Sequence, residues 1–284
     1  MSIEKVGIVG GGQMGAGIAE VCAKAGVDTI VVEISEDLAA AARSRIEGSM
    51  EKAVGRGKLD EAERDVALAL LGFAANRSEL GDRDLIIEAV VEREDLKREI
   101  FADLDAIAGP DAILATNTSS LPVTRIAAAT SRPESVIGMH FFNPATVMPL
   151  VEIVSTVVSD ESVVDRAADF TRDRLGKTVV RAKDRAGFIV NKLLCPYLFE
   201  AIRMYEEGFA SREDIDAAMV NGTGYPMGPL ALCDLIGNDT MLAVADAFSE
   251  EYQDPRYAAP PLLRRMVEAG LLGKKTGRGF YDYS

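Results

Sequence analysis

The stretch KVGIVGGGQMGAGIAEVCAKAGVDTIVVEI, residues 5–34, constrains the fold more tightly than any other part of the chain. A short β-branched run enters a glycine turn, after which apolar residues recur at helical spacing at Met14, Ile18, Val21, Cys22 and Ala25. Gly26 closes that helix, and Thr29 to Val32 reads as a second buried strand ending in Glu33, which makes a βαβ unit. Gly10, Gly12 and Gly15 match the spacing GxGxxG. The first glycine permits the tight turn, the second lets backbone reach a pyrophosphate, and the third allows close packing of helix on strand. The helix that starts at Gln13 and Met14 adds amide donors and a positive dipole end for phosphates. Such spacing also occurs by accident in glycine-rich loops, but here strand, helix, second strand and an acid eighteen residues past Gly15 stand in register. Glu33 is expected to bind adenosine ribose hydroxyls and repel a 2′-phosphate, favouring NAD over NADP. A nearby arginine softens that preference, and Arg43 and Arg45 are the candidates.

A chain of 284 residues with 48% apolar side chains is long enough for one large α/β domain or two domains. Its net charge of −14 is spread along the chain, which makes nucleic acid and anionic membranes poor partners. Any polyanionic ligand must then be held by local basic groups. No apolar stretch reaches the length of a bilayer span, and MSIEKV puts charges where a signal peptide needs its apolar region, so a cytoplasmic protein is expected. Cys22, Cys195 and Cys233 are far apart, with no CxxC and a single histidine, so neither a disulfide framework nor a metal site is expected.

Residues 36–71 are helical in composition and read as a helical hairpin inserted in the nucleotide-binding domain. Ser49, Lys52 and Arg56 are expected to share a face there, either as a contact surface or as a solvated charged face. DLIIEAVVE then reads as a parallel strand covered on both sides, whose end at Ala89, Val90 and Glu92 should meet the cofactor. The helix after it turns Leu96, Ile100, Phe101 and Leu104 inward. In TNTSS, Thr116 to Ser120, small polar groups including Asn117 and Ser119 gather at a strand end, where a serine can bond a substrate oxygen. The bland reading is capping, with Ser120 starting the helix of LPVTRIAAA.

The only histidine, His140, lies at the end of SVIGMHFFNP, and MPLVEIV alternates as an antiparallel partner strand. Such a hairpin brings Glu152 beside His140. Imidazole both takes and gives a proton near neutrality, and a carboxylate behind it fixes the tautomer and stabilises the imidazolium. A lone core histidine is the alternative; position at the carboxyl end of a strand beside a nucleotide domain favours chemistry. Beyond Asp184 the pattern becomes helices alone, so residues 1–184 are expected to form a Rossmann-type doubly wound domain and residues 185–284 an all-α domain. Asn191, in the first turns of the leading helix, is expected to face the cleft between the domains.

Taken together, VGIVGGGQMGAGIA, EAVVE, TNTSSLP, GMHFFNP, LVEIV, DRAGFIVNKLL, YPMGPL and GLLGKKTGRGFYDY make the chain resemble the short-chain L-3-hydroxyacyl-CoA dehydrogenases, the bacterial 3-hydroxybutyryl-CoA dehydrogenases among them, nearly end to end. The resemblance implies that His140 is the general base in oxidation and Glu152 its orienting partner. It implies that Ser119 and Asn191 hold the reacting oxygen and the acyl carbonyl. Around the NAD it places Glu33, Glu92, Lys97, Ser119, Asn143 and, from the C-terminal tail, Lys275. Coenzyme A contacts fall on Ser49 and Arg56, with Lys52 on the same face. Arg56 stands where a lysine is usual, and Glu33 where an aspartate is more common; the first keeps the charge but changes donor geometry. The resemblance also points to an acyl-CoA substrate and to a homodimer through the helical domain. Two competing readings remain: a dehydrogenase of this architecture acting on a free hydroxy or sugar acid, and a non-catalytic structural relative.

Overall fold

Strand β1 (Lys5–Val9) of the computed structural model, which describes residues 2–284, lies inside an eight-stranded sheet with its apolar run buried on both faces. Helix α1 (Gln13–Lys24) returns the chain to β2 (Asp28–Val32), parallel to β1, with Ile18, Ala19, Cys22 and Ala23 turned into the core. Each large aliphatic side chain buried in this way contributes roughly 1.5–3 kcal/mol. Two helices, α2 (Glu36–Gly55) and α3 (Glu61–Ala69), lead to the edge strand β3 (Leu71–Ala74). The chain then crosses to the other side of β1 and lays down β4 (Leu85–Glu88), α4 (Glu94–Ile107), β5 (Ile113–Thr116), α5 (Val123–Ala127) and β6 (Val136–Phe141). Up to β6 every pairing is parallel. Strand β7 (Leu150–Ser155) runs antiparallel to β6, and after α6 (Glu161–Asp169) strand β8 (Thr178–Lys183) pairs parallel with β7.

The resulting order is β3-β2-β1-β4-β5-β6-β7-β8. Because the direction of winding reverses between β1 and β4, the carboxyl ends of those two strands open the crevice in which doubly wound sheets bind ligands. Three local expectations change. The helical stretch ends at Ala69, and Leu71 to Ala74 extends to pair with β2. In α4 the buried set is Lys97, Ile100, Phe101 and Leu104, with Leu96 half-buried, because a carboxylate waits for Lys97 inside the sheet. Ser120 does not cap α5: the first amides of the helix, those of Val123 and Thr124, donate instead to the Asp184 carboxylate, at 2.9 and 2.7 Å.

Contacts divide the chain into two compact units, Met1–Asp184 and Arg185–Ser284. The second is built from α7 (Val190–Glu206), α8 (Arg212–Thr223), α9 (Pro229–Ile236), α10 (Asn238–Tyr252) and α11 (Pro261–Glu268), packed around Leu198, Phe199, Ile202, Leu230, Phe248 and Leu263. Two buried carboxylates organise it. Asp216 accepts from the Leu230 and Ala231 amides at the start of α9, where the helix dipole also favours a negative charge. Asp234 accepts from the Phe280 and Tyr281 amides, both at 2.9 Å, and from the Tyr283 hydroxyl at 3.1 Å, which fastens the C-terminal tail. A side chain at Gly279 would fall 1.9 Å from Asp234 Oδ1, so the tail approaches to a distance only glycine allows. Asp234→Asn puts an amide NH2 against one of these donors and is expected to cost about 2 kcal/mol, read as a lowered unfolding midpoint.

Candidate active site

The glycine loop is built for a ligand rather than for packing alone. Gly10 has φ +95°, a region that favours glycine, and its N–H donates to Val32 O at 2.9 Å. A Cβ on Gly15 would lie 1.8 Å from Gly10 O, whereas a Cβ on Gly12 would meet nothing within 4 Å. Gly12 is the N-cap of α1 and brings no side chain to its first amides, which leaves them for an anion. Glu33 turns both carboxylate oxygens to backbone, Oε1 to Gly11 N–H at 2.6 Å and Oε2 to Ile34 N–H at 3.2 Å. Arg45 donates to Gly11 O at 2.7 Å, so Gly11 is held at both its N–H and its carbonyl, while the Arg43 guanidinium sits 4.9 Å from the centre of the Phe73 ring. Gln13 Nε2 donates to Asn143 Oδ1 at 3.0 Å and ties this loop to the β6–β7 connection; Met14 packs on the core beneath.

At the ends of β4 and β5 a charge network lies below Ala89 and Val90. Glu88, fully buried, accepts from Lys97 Nζ and Val90 N–H on Oε1 and from the Thr116 hydroxyl on Oε2, each at 2.7 Å. Lys97 also pairs with Glu92 at 3.2 Å. Glu92 accepts from the Thr118 hydroxyl and from the Ser119 and Ser120 amides, the last two at 3.0 and 3.2 Å. Burial pushes the Glu92 carboxyl up, but Lys97 and these donors outweigh it and hold it below the usual carboxylate range. Sequence reasoning missed Glu88 and Thr118. The available signal was an acid inside an otherwise apolar strand.

In the hairpin, His140 and Glu152 are direct cross-strand partners, and His140 Nδ1 lies 2.7 Å from Glu152 Oε2. Both are buried, Glu152 completely. A carboxylate accepts, so Nδ1 carries the hydrogen of this contact. The Phe142 ring stands 4.5 Å from the imidazole, centroid to centroid. Asn117 Oδ1 accepts from Phe141 N–H at 2.9 Å and secures the end of β6. The loop that follows is held by Lys177, also missed in the sequence, whose Nζ donates to Ala145 O and Met148 O at 2.8 Å. Burial, helped by the nearby Lys24 ammonium, pushes the Lys177 amine down from its ordinary value.

On α2, Ser49 is half-buried and its side chain bonds the Glu20 carboxylate; burial pushes Glu20 up, and the Ser49 bond opposes that. Lys52 is exposed, and Arg56, also exposed, is the C-cap residue that directly follows Gly55. In the second unit Asn191 is the second residue of α7, and Lys275 forms an ion pair with Asp239 at 2.5 Å. The three cysteines are buried and free, and burial pushes the Cys22 and Cys195 thiols up to about 12. Among the described residues no group of His, Cys, Asp or Glu side chains is arranged to hold a metal, and no helix is long and apolar enough to cross a membrane.

Residues 5–185 match the family described as "3-hydroxyacyl-CoA dehydrogenase, NAD binding domain", and residues 187–283 match "3-hydroxyacyl-CoA dehydrogenase, C-terminal domain". The chain is 57% identical over 283 residues to a 3-hydroxybutyryl-CoA dehydrogenase of Mycobacterium tuberculosis, covering 99% of each. Among solved structures it is similar to M. tuberculosis FadB2, with a TM-score of 0.98 at 56% identity, and to the (S)-3-hydroxybutyryl-CoA dehydrogenase PaaH1 of Ralstonia eutropha, with a TM-score of 0.96 at 43% identity. Both alignments cover 100% of each chain.

Proposed function

The chain belongs to the 3-hydroxyacyl-CoA dehydrogenase family, and from that premise we propose that it interconverts an L-3-hydroxyacyl-CoA, with 3-hydroxybutyryl-CoA foremost, and the 3-ketoacyl-CoA, using NAD. The observation that carries the reading is the buried His140–Glu152 pair on the nucleotide-binding sheet. The loop fits the dinucleotide: open space stands over Gly12, uncapped amides start α1, and the Glu33 carboxylate is anchored at the end of β2. Gly10, Gly12, Gln13, Met14 and Gly15 would hold the pyrophosphate, and Glu33 the adenosine ribose. Glu92, Lys97, Asn117, Ser119, Asn143 and Lys275 are assigned to the nicotinamide half.

NAD supplies the hydride acceptor in oxidation and, reduced, the hydride donor in the reverse direction. His140 takes the hydroxyl proton on Nε2 while Glu152 keeps the Nδ1 hydrogen in place and stabilises the imidazolium. In reduction the imidazolium returns that proton to the carbonyl oxygen. Ser119 is assigned to the reacting oxygen and Asn191 to the acyl carbonyl. For coenzyme A, Lys52 and Arg56 supply the local positive charge that an acidic protein needs to hold phosphates, and Ser49, its hydroxyl turned to Glu20, contributes a lone pair. We assign the protein to the cytoplasm and to a homodimer that associates through the helical unit.

The test is loss of NADH absorbance with acetoacetyl-CoA or free acetoacetate, with NADPH run alongside. The thioester is expected to exceed the free acid by about 100-fold or more in kcat/KM, because binding of the remote coenzyme A moiety is spent at the reacting carbon. NADH is expected to exceed NADPH. Equal rates on thioester and free acid would sink the acyl-CoA reading.

A further inference from the structure

Glu88 is buried at the end of β4, behind the residues assigned to ligands. An ionised carboxylate is tolerated there only because Lys97, the Val90 amide and the Thr116 hydroxyl all donate to it. Lys97 is itself only 1% exposed and passes the contact on to Glu92, whose other oxygen gathers the amides of Ser119 and Ser120. An unbroken chain of charged contacts therefore runs from Glu88 to the backbone of Ser119.

We propose that Glu88 is a positioning residue of the active site: through Lys97 it holds Glu92 and the Ser119 loop in place for dinucleotide and substrate. The inference rests on the assignment of Lys97, Glu92 and Ser119 to ligands made above. Charge adds a second consequence. Two carboxylates against one ammonium leave one excess negative charge at these strand ends. The oxidised nicotinamide ring is positive and the reduced ring neutral, so the excess favours NAD+ over NADH, and a neutral residue at position 88 removes that preference.

Glu88→Gln keeps the shape of the side chain, and the Thr116 hydroxyl can turn from donor to acceptor to satisfy the new amide. In this variant kcat for acetoacetyl-CoA reduction is expected to fall about tenfold or more, since misplacement of reacting groups by about 1 Å costs up to 100-fold. The KM for the thioester should stay within about twofold, because Lys52 and Arg56 lie at the far end of α2. Dissociation of NADH, followed by its own fluorescence, and of NAD+, by competition, should show NAD+ weakened about three- to tenfold more than NADH.

Glu88→Asp is the second variant. It keeps the charge but withdraws it by one methylene, so kcat should fall while the NAD+ to NADH affinity ratio stays at the wild-type value. A purely structural role weakens both dinucleotides alike in Glu88→Gln, and that result overturns the proposal, as does wild-type kcat in Glu88→Asp. If Glu88→Gln does not fold, kcat of Glu88→Asp decides. Wild-type enzyme inactive on acetoacetyl-CoA would sink the functional assignment instead, and the affinity ratios would still decide for or against Glu88.

Discussion

His140→Gln is expected to lower kcat about 10³-fold in both directions, while NADH binding and the KM for acetoacetyl-CoA change by no more than about threefold. Glutamine is the informative replacement. Glu152 is fully buried, and a substitution that offered it no donor in place of Nδ1 would remove a 2.7 Å hydrogen bond to a buried carboxylate and lower stability as well as activity. The glutamine amide can donate to Glu152 where Nδ1 now does, so the hairpin keeps its polar contact and loses only the imidazole to which proton transfer is assigned. Because the chain contains one histidine, no second imidazole can take over or mask the loss. The check is steady-state turnover beside NADH titration on the same preparation. A variant that binds NADH normally and keeps more than about a tenth of wild-type kcat would remove His140 from the proton-transfer role.

That pairing is legible in the sequence because a strand has a period of two. GMHFF and LVEIV each alternate, and a hairpin between them puts His140 and Glu152 opposite each other on one face, as the observed register does. The βαβ start is legible for a similar reason: glycine positions, helical spacing and a terminal acid are all local features. What escaped reading depends on partners far along the chain. Lys97 belongs by spacing to the rim of an amphipathic helix, and its burial becomes favourable only once the sheet brings Glu88, with Glu92, against its ammonium. The cap of α5 is Asp184, some sixty residues downstream, where local chemistry pointed to Ser120. Lys177 looks like one more surface lysine until the loop at Ala145 and Met148 is folded over it. Leu71 to Ala74 contains one glycine and one alanine in four residues and becomes a strand because β2 offers it an edge.

The glycine loop allows fold and ligand roles to be separated by two single methyl groups. Gly15→Ala puts a Cβ 1.8 Å from Gly10 O, against backbone that cannot yield as a flexible side chain would. Helix α1 must move away from the loop, or Gly10 must leave the conformation in which it donates to Val32 O. This variant is expected to lose about 2–4 kcal/mol of stability and to bind NADH at least about 100-fold more weakly. Gly12→Ala meets no protein atom within 4 Å, and with φ −63° its backbone suits alanine. Its unfolding midpoint should therefore match wild type. If a pyrophosphate approaches the backbone there, the added methyl occupies the ligand's space and NADH affinity should still fall by about tenfold or more. Thermal unfolding in the absence of dinucleotide and NADH titration, run on both variants, separate the two outcomes. Unchanged NADH affinity in Gly12→Ala would mean that the phosphates do not pass over this glycine, and the ligand would have to be held instead by the strand ends at β4 and β5.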